Sequence, residues 1–553
     1  MIESQVRGRV VVPAMVAAGP ALLVGAGLLL FGPAGLDDSY ITFGVVDRLL
    51  ATGAIANYNG DPVEQSSSLL HVLVLALVTV VTSLPVPVVG LVVGVLFGAA
   101  TTVLAAVLAE RMHPGSAVPS SLIVGTGAYL VHWSFGGLET SLAAFVLLLA
   151  GLVTVRALER GIDTGVLVAF AVVVLAQTLV RPEAGLVLVA GLIGTGVLLW
   201  RRPDAVRRVA VLVAVAAAVG VAVALVRWGW TGYPVPQPVV AKTGGPMLEA
   251  AQRGLTYADR WLLPPFMLVV IAVAVVGAFL LRGRRPAVEP VLWAFALAGV
   301  AAAVFSGGDL MMAGRLFVPS VAVLGLLAGV GFTRAAERYG RRAGAVLAVV
   351  LIAAQGLGLA QTTLYDSAGQ PAWAPDLVVP GAPAGLDPPW VERRNRVHLR
   401  DAAFIPVVSA EIDRLRAKLG RPVLVGGGQA GMVMRYLALD DPDRLRYIDT
   451  NRLAGNELAP CDAFTAHTPI GAHLSYRDWM ASPTRCGTPE PDLIFDLRPV
   501  RDELLATGRY VLVHEQADPV LPPGANVVTG TERVTGQFFA VRTDLFDGEL
   551  PNG

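Results

Sequence analysis

Long apolar segments recur along the first two thirds of the chain and then stop. A helix needs about 20 mainly apolar residues to cross a bilayer. Apolar runs of 16 to 24 residues continue until about residue 361. The pattern predicts membrane helices at 10–31, 66–84, 86–109, 117–133, 138–155, 165–180, 184–200, 209–226, 261–281, 287–306, 316–333 and 343–361.

The last 192 residues, 362–553, follow a different pattern. They begin with a proline-rich stretch, continue with a helical pattern near 401–419, and contain short β-type runs such as Val423–Val425 and Tyr510–His514. Alternating helical and strand patterns are typical of α/β domains. We therefore predict two domains, a transmembrane domain at 1–361 and a soluble α/β domain at 362–553.

Composition supports a membrane protein. Of the 553 residues, 54% are hydrophobic and 15% are charged, whereas soluble domains carry about 25% charged residues. The mean hydropathy is +0.63, and one or two soluble cores cannot bury so much apolar surface. The net charge of zero gives no indication of nucleic-acid binding, and two cysteines exclude a disulfide-dense scaffold or a cysteine-rich metal site.

Basic residues orient the chain, since cytoplasmic loops are enriched in arginine and lysine. If segment 66–84 lies on the outer surface or re-enters, eleven spans remain, and the basic clusters all face the cytoplasm. The N-terminus is then cytoplasmic and the α/β domain extracytoplasmic, in a multi-pass protein of the plasma membrane. The polar, motif-like segments all fall on the outer face, namely 36–40, 41–65, 136–140, 181–183, 228–245 and 307–315.

Carboxylates mark the outer ends of several predicted spans. Asp37 and Asp38 are adjacent, and two neighbouring carboxylates at a membrane boundary are costly. They are candidates for a general base, or for a group that stabilises positive charge at a sugar carbon. The alternative is a helix end solvated at the headgroups. Glu64 and Glu139 are further outer carboxylates, for which a structural role is the simpler interpretation.

Three cations break the positive-inside pattern. Arg181, Lys242 and Arg315 lie on the predicted outer face. Cations placed there indicate an anionic ligand such as a lipid phosphate, which arginine would bind in bidentate fashion and lysine as a point charge. The alternative is snorkelling towards the headgroups, or an ion pair such as Arg181 with Glu183.

Gly426, Gly428 and Gly431 form a G-x-G-x-x-G pattern after a strand-like run, with Asp449 eighteen residues further on. This spacing matches a dinucleotide fingerprint. Because the topology places it outside the cell, we interpret it as a tight strand-to-helix turn and expect no nucleotide cofactor.

Two further features belong to the outer face. Tyr233, with Trp228 and Trp230, could stack on a sugar, although an interfacial aromatic belt explains these residues equally well. Cys461 and Cys486 lie in the outer domain, where oxidation is permitted, and are predicted to form a disulfide.

Several sequence segments, taken in chain order, resemble those of a known family. DDSYITFGVVDRLLATGAIANYNGDPVEQSSSLL, GGLETSL, LVRPEAGL, GYPVPQPVVAKTG and GGDLMMAGRLFVP resemble the signature of polytopic membrane glycosyltransferases of the C superfold (GT-C). Within it the chain is most similar to the terminal β-(1→2) arabinofuranosyltransferases of mycobacterial and corynebacterial cell walls. GQAGMVMRYL extends the likeness into the outer domain.

The resemblance implies roles for individual residues. One of Asp37 and Asp38 would be the acceptor base. The donor phosphate would be bound by Arg181, Lys242 and Arg315. Substrate-binding residues would be Tyr40, Glu64, Glu139, Glu183, Tyr233 and Asp309.

The resemblance also implies a reaction. A sugar, D-arabinofuranose in the first place, would move from a polyprenyl-phosphate donor, decaprenyl-phosphate arabinose, to a cell-wall or lipoglycan acceptor such as arabinogalactan or lipoarabinomannan. One alternative is a glycosyltransferase of the same fold that transfers mannose or another hexose. A less favoured alternative is a transporter of a lipid-linked saccharide. Participation of Mg²⁺ or Mn²⁺ stays open, since adjacent aspartates can hold either.

Overall fold

The three-dimensional structure is a computed structural model of the whole chain. It describes residues 16–31, 35–242, 246–280, 288–309, 311, 313–364, 389–428, 430–439, 441, 443–451, 488–497, 500–517 and 536–548.

Helices make up the first part of the described chain. They are α1 Ala18–Leu30, α2 Ser39–Thr52, α3 Leu69–Thr82, α4 Val86–Met112, α5 Ala117–Gly125, α6 Ala128–Ser134, α7 Thr140–Arg160, α8 Thr164–Val180, α9 Ala184–Leu198, α10 Pro203–Thr231, α11 Gln237–Lys242, α12 Met247–Leu262, α13 Pro265–Phe279, α14 Val288–Phe305 and α15 Val318–Leu364.

The lengths of these helices bear on the number of spans. Among the described residues, five helices are long and apolar enough to cross a membrane, or six if α12 and α13, bent by 89° at their junction, form one span. Several other apolar helices are shorter, and α3 has only 14 residues. At about 1.5 Å per residue, α3 falls well short of the bilayer core. Helix α1 is as short, with 13 residues, so length does not set segment 66–84 apart and the count of eleven stays a prediction.

Two predicted segments differ in detail from the structure. Segment 117–133 is not one helix: it is divided into α5 and α6 at Thr126 and Gly127. Conversely, the two runs at 316–333 and 343–361 lie in one long element, α15, which breaks at Gly340 (φ 83°, ψ 176°). Glycine adopts a left-handed φ at no steric cost, so the chain turns there between two helical halves.

The C-terminal region is an α/β unit. It contains α16 Pro389–Leu419, β1 Val423–Gly427, α17 Met432–Leu439, β2 Leu445–Asp449, β3 Leu493–Leu497, α18 Arg501–Leu505, β4 Tyr510–Ala517 and β5 Gly536–Arg542. The sheet order is β2-β1-β3-β5-β4, with β1 parallel to β2 and β3, and β5 antiparallel to β3 and β4. The predicted α/β domain is confirmed. The boundary at 361/362 falls just before the end of α15 and stays a prediction.

The predicted motifs gather at one end of the helical bundle. The Leu36 N–H donates to the Gly136 carbonyl (3.0 Å), which joins two of the motif segments. Basic turns among the described residues lie at the opposite end, where His113 contacts Glu337 (2.8 Å) and Arg208 donates to the Leu158 carbonyl (2.6 Å). Helix α7 runs from one end to the other.

Candidate functional site

A buried carboxylate joins the two predicted arginines. Glu139 precedes α7 and is 1% exposed. One of its oxygens accepts hydrogen bonds from Arg181 Nη1 (2.8 Å) and from Arg315 Nη2 (2.9 Å). Arg181 also donates to Glu183 (2.5 Å), and Arg315 Nη1 lies 3.7 Å from Asp309. Five predicted residues thus form one cluster, the Glu139 cluster.

Electrostatics keep Glu139 ionised. Burial alone would raise the pKa of Glu139, because a carboxylate loses hydration. The charges of Arg315, Arg181 and His71 outweigh burial and lower that pKa to about 2. The carboxylate therefore holds both guanidinium groups in place over the physiological pH range.

Aromatic residues that the sequence did not indicate position the Arg315 loop. Trp133 Nε1 donates to the Ala313 carbonyl (3.0 Å), and its ring lies 5.6 Å from the Arg315 guanidinium carbon. The Tyr257 hydroxyl accepts the Leu316 N–H (3.1 Å). These contacts fix both sides of Arg315. In the sequence, such aromatics cannot be told from core or interfacial residues.

A cleft runs from this cluster into the bundle. It is a small cleft that is partly open to solvent. Its polar lining consists of Arg181, Glu183, Gln177 and Ser320, and its walls are apolar side chains such as Leu147. Two of these lining residues have buried atoms that lack a hydrogen-bond partner among the described residues, Gln177 Oε1 and Ser320 Oγ. The arrangement suits a ligand with a polar head and an apolar tail.

The two adjacent aspartates have different surroundings. Asp37 is half-buried, and its Oδ1 accepts the backbone N–H of Met432 at the start of α17 (2.7 Å). Asp38 is exposed, and its charge acts on the Arg315 guanidinium. Asp37 therefore contacts the α/β domain, while Asp38 is accessible and near enough to Arg315 for the two charges to interact.

The α/β domain is bound to α2 and the following loop by several polar contacts. Arg435 on α17 donates to Asp47 on α2 (2.6 Å). Asn59 exchanges two hydrogen bonds with the backbone of Tyr447 (2.8 and 2.7 Å). Burial raises the pKa of Asp47, and Arg435 opposes that shift. These groups would be unpaired if the domain separated, so they hold it on the membrane domain.

Tyr40 and Tyr58 lie in the same interface. The Arg435 guanidinium carbon is 5.7 Å from the Tyr40 ring centre, and Tyr40 is buried. The Tyr58 hydroxyl donates to the Ala430 carbonyl (2.8 Å). Burial raises the pKa of Tyr58 well above its ordinary value, so it remains a donor. Tyr40, predicted to bind substrate, is thus part of the domain contact.

Glu64 has a partner that the sequence did not identify. It is 2% exposed and accepts two hydrogen bonds from Arg227 on α10, from Nε (2.8 Å) and Nη2 (3.0 Å). Its carbonyl also accepts the Gln237 N–H at the start of α11 (3.1 Å). Burial raises the pKa of Glu64, and Arg227 opposes that shift. The predicted substrate-binding glutamate therefore anchors the segment that leads to Lys242.

Some of the predicted site residues are described only in part or not at all. Lys242 ends α11, but its side chain lies outside the part that the structure describes, as do Cys461, Cys486 and their predicted disulfide. Tyr233 is half-buried and its backbone pairs with the Thr231 hydroxyl. Within the described ranges no group of three or more acidic, histidine or cysteine side chains is arranged to hold a metal ion, and the divalent cation stays a prediction.

Comparison with solved structures identifies the fold. The chain matches apo ArnT of Cupriavidus metallidurans with a TM-score of 0.52 and 15% identity, over 99% of this chain and 100% of that one. It matches the Archaeoglobus fulgidus oligosaccharyltransferase AglB with a TM-score of 0.53 and 10% identity, over 93% and 73%. The chain has a GT-C fold. No protein-family model and no curated protein matches it.

The GT-C fold and the predominantly apolar helices confirm the predicted fold class, an α-helical membrane protein with a C-terminal α/β domain. At these identities the likeness concerns the fold alone. The arabinofuranosyltransferase AftD from Mycobacteria matches with a TM-score of 0.48 and 14% identity, over 96% of this chain and 42% of that one.

The sequence missed the residues that connect the motifs. Arg227 directly follows the predicted span 209–226 and was not singled out, and the turn at 430–432 was interpreted only as a local strand-to-helix connection. A basic residue at the outer end of a predicted span breaks the positive-inside pattern. Arg227, four residues before the end of α10, was therefore a signal that could have been used.

Proposed function

We propose that the protein is a glycosyltransferase that moves a sugar from a polyprenyl-phosphate donor to a glycan acceptor on the outer face of the membrane. The single observation that supports this most is the Glu139 cluster itself, a buried set of paired arginines whose Arg181 lines a cleft with apolar walls. A base, cations for a leaving phosphate and an apolar wall are the groups that this reaction requires.

The cleft is the proposed donor site. Its apolar walls would contact the polyprenyl chain, and Arg181, which lines the cleft, would donate to the phosphate. Arg315, which is bound to the same Glu139 oxygen and whose Nε has no partner among the described residues, would assist it. The cluster has three carboxylates and two guanidinium groups, a formal charge of −1. An anionic phosphate therefore needs another cation, and Lys242 at the end of α11 is the proposed one.

Asp38 is the proposed acceptor base. Its carboxylate takes the proton of the acceptor hydroxyl as that oxygen bonds to the anomeric carbon. The bond between the anomeric carbon and the phosphate oxygen breaks, and the polyprenyl phosphate leaves. Arg315 and Lys242 stabilise the charge that develops on the departing phosphate. Asp37, which accepts the Met432 N–H, is not free to move towards an acceptor in the same way.

The identity of the sugar is proposed from the resemblance of the sequence motifs. The proposed sugar is D-arabinofuranose, and the proposed acceptor is a cell-wall or lipoglycan arabinan. The basic turns at the opposite end of the bundle support a cytoplasmic position for that end and an extracytoplasmic one for the site and the α/β domain.

A transfer assay on the purified full chain tests the proposal. Radiolabelled decaprenyl-phosphate arabinose and a short arabinan acceptor are incubated with the wild-type protein and with the Asp37→Asn/Asp38→Asn double variant. We expect transfer by the wild type and none by the double variant. Equal transfer by both would contradict the assignment of the aspartates.

Assays with a panel of polyprenyl-phosphate sugars identify which sugar the protein transfers. If folded wild-type protein transfers mannose or another hexose from its polyprenyl phosphate but not arabinose, the reaction class holds and the sugar is corrected. If no polyprenyl-phosphate sugar is transferred to any acceptor, the proposed function is wrong.

A further inference from the structure

The turn between β1 and α17 lies where α/β proteins bind ligands. Strand β1 is flanked by β2 and β3, both parallel to it, and ligands of such sheets bind beyond the carboxyl ends where the strand order reverses. Gly428 N–H donates to Asp496 Oδ2 (3.1 Å) and Asn451 Nδ2 donates to the Gly428 carbonyl (2.7 Å). The turn is therefore held rigidly from inside its own domain.

In this protein the anion at that turn is a side chain of the membrane domain. The Asp37 carboxylate accepts the first backbone N–H of α17, from Met432, at 2.7 Å. A helix N-terminus favours a negative charge at this position. The two residues are 395 positions apart in the chain and belong to different predicted domains.

Gly431 is required for the contact. A Cβ at this position would lie 2.2 Å from Asp37 Oδ2. The nearest atoms are those of the carboxylate group itself, so an added methyl group would push Asp37 and not a backbone segment. Tyr58, from the loop after α2, holds the other side of the turn through the Ala430 carbonyl (2.8 Å).

We infer that the turn at 430–432 is a positioning element of the catalytic centre: it fixes Asp37, and through Asp37 it orients the adjacent Asp38 towards the Glu139 cluster. The inference rests on the proposed function and adds to it. The α/β domain completes the catalytic centre, in addition to any contact that it makes with the acceptor.

The test compares two glycine substitutions in the full-length protein. Gly431→Ala should lower kcat on the order of tenfold and leave the affinity for decaprenyl phosphate alone within about twofold. Gly356→Ala is the matched control, because a Cβ there meets nothing within 4 Å, and it should transfer at the wild-type rate. Wild-type kcat in folded Gly431→Ala would overturn the inference.

A second pair of variants separates positioning from a general structural effect. In an Asp37→Ala background the new methyl group meets no carboxylate, so Gly431→Ala should cause no further loss of kcat. A full additional loss would mean that the turn does not act through Asp37, and would overturn the inference.

Tyr58→Phe covers the case in which Gly431→Ala does not fold. It removes one hydroxyl from the other side of the turn, and we expect kcat to fall about threefold with unchanged phosphate affinity. Unchanged kcat would overturn the inference. If the wild-type protein transfers no sugar, the proposed function itself fails and the positioning role fails with it, an outcome distinct from the variant results.

Discussion

The Glu139 cluster and the Asp37 contact are organised differently. The Glu139 cluster is made entirely by the membrane domain, and all five of its charged residues lie in motifs visible in the sequence. The Asp37 contact pairs one motif residue with a backbone N–H from the α/β domain. The buried charges of the Glu139 cluster find side-chain partners inside one domain, whereas the position of Asp37 depends on how two domains meet.

The largest expected effect separates the two aspartates. Asp38→Asn removes the proposed base and should lower kcat by about 10² to 10⁴-fold. Asp37→Asn keeps an oxygen that accepts the Met432 N–H and should cost less than about tenfold. Rates of sugar transfer measured with saturating donor decide this. A larger loss for Asp37→Asn would reverse the assignment.

The next effect concerns the stability of the Glu139 cluster. Glu139→Gln leaves Arg181 and Arg315 buried without their shared counter-charge, and removing one partner from a buried pair costs about 3 to 5 kcal/mol. Thermal unfolding in detergent should show a clear decrease in Tm. Glu183→Gln is the control, because Glu183 is 31% exposed and its loss should matter much less. Equal changes in Tm would contradict a central role for Glu139.

The same cluster predicts a pH dependence. The pKa of Glu139 is lowered from 4.5 to about 2, so its pairing contributes fully to stability above pH 4.5 and the contribution is lost as the pH falls towards 2. The Tm of the wild-type protein should therefore decrease over this interval more than that of Glu139→Gln. Parallel pH curves would argue against the pairing.

The smallest expected effect lies at the domain contact. Asp47→Asn removes the charge that Arg435 contacts at 2.6 Å, and the pair is partly accessible, so we expect a loss of about 1 to 2 kcal/mol in the free energy of unfolding. Denaturant unfolding measures it. If Asp47→Asn destabilises the protein as much as Glu139→Gln, the domain contact is as strong as the cluster and the contrast between the two regions disappears.

The sequence was sufficient where composition or the periodicity of apolar residues determines the secondary structure. Apolar runs predicted the membrane domain, and α16, β1 and β4 appear where helical and strand patterns placed them. The prediction of one helix at 117–133 was wrong, because the break at Thr126 and Gly127 does not change the hydropathy of the segment. Arg181, Glu183 and Arg315 could be named because charged residues at span ends are conspicuous against an apolar background.

Pairing was decided by the tertiary structure. Glu64 and Glu139 are equivalent in the sequence, yet one contacts Arg227 and the other contacts Arg181 and Arg315. Likewise, the difference between Asp37 and Asp38 comes from Met432, almost 400 positions away. The sequence determines which groups must be satisfied, because burying an unpaired charge and exposing apolar surface to water both cost free energy. Only the packed chain decides which partner satisfies each one, since hydrogen bonds act over about 3 Å and bear no relation to separation along the chain.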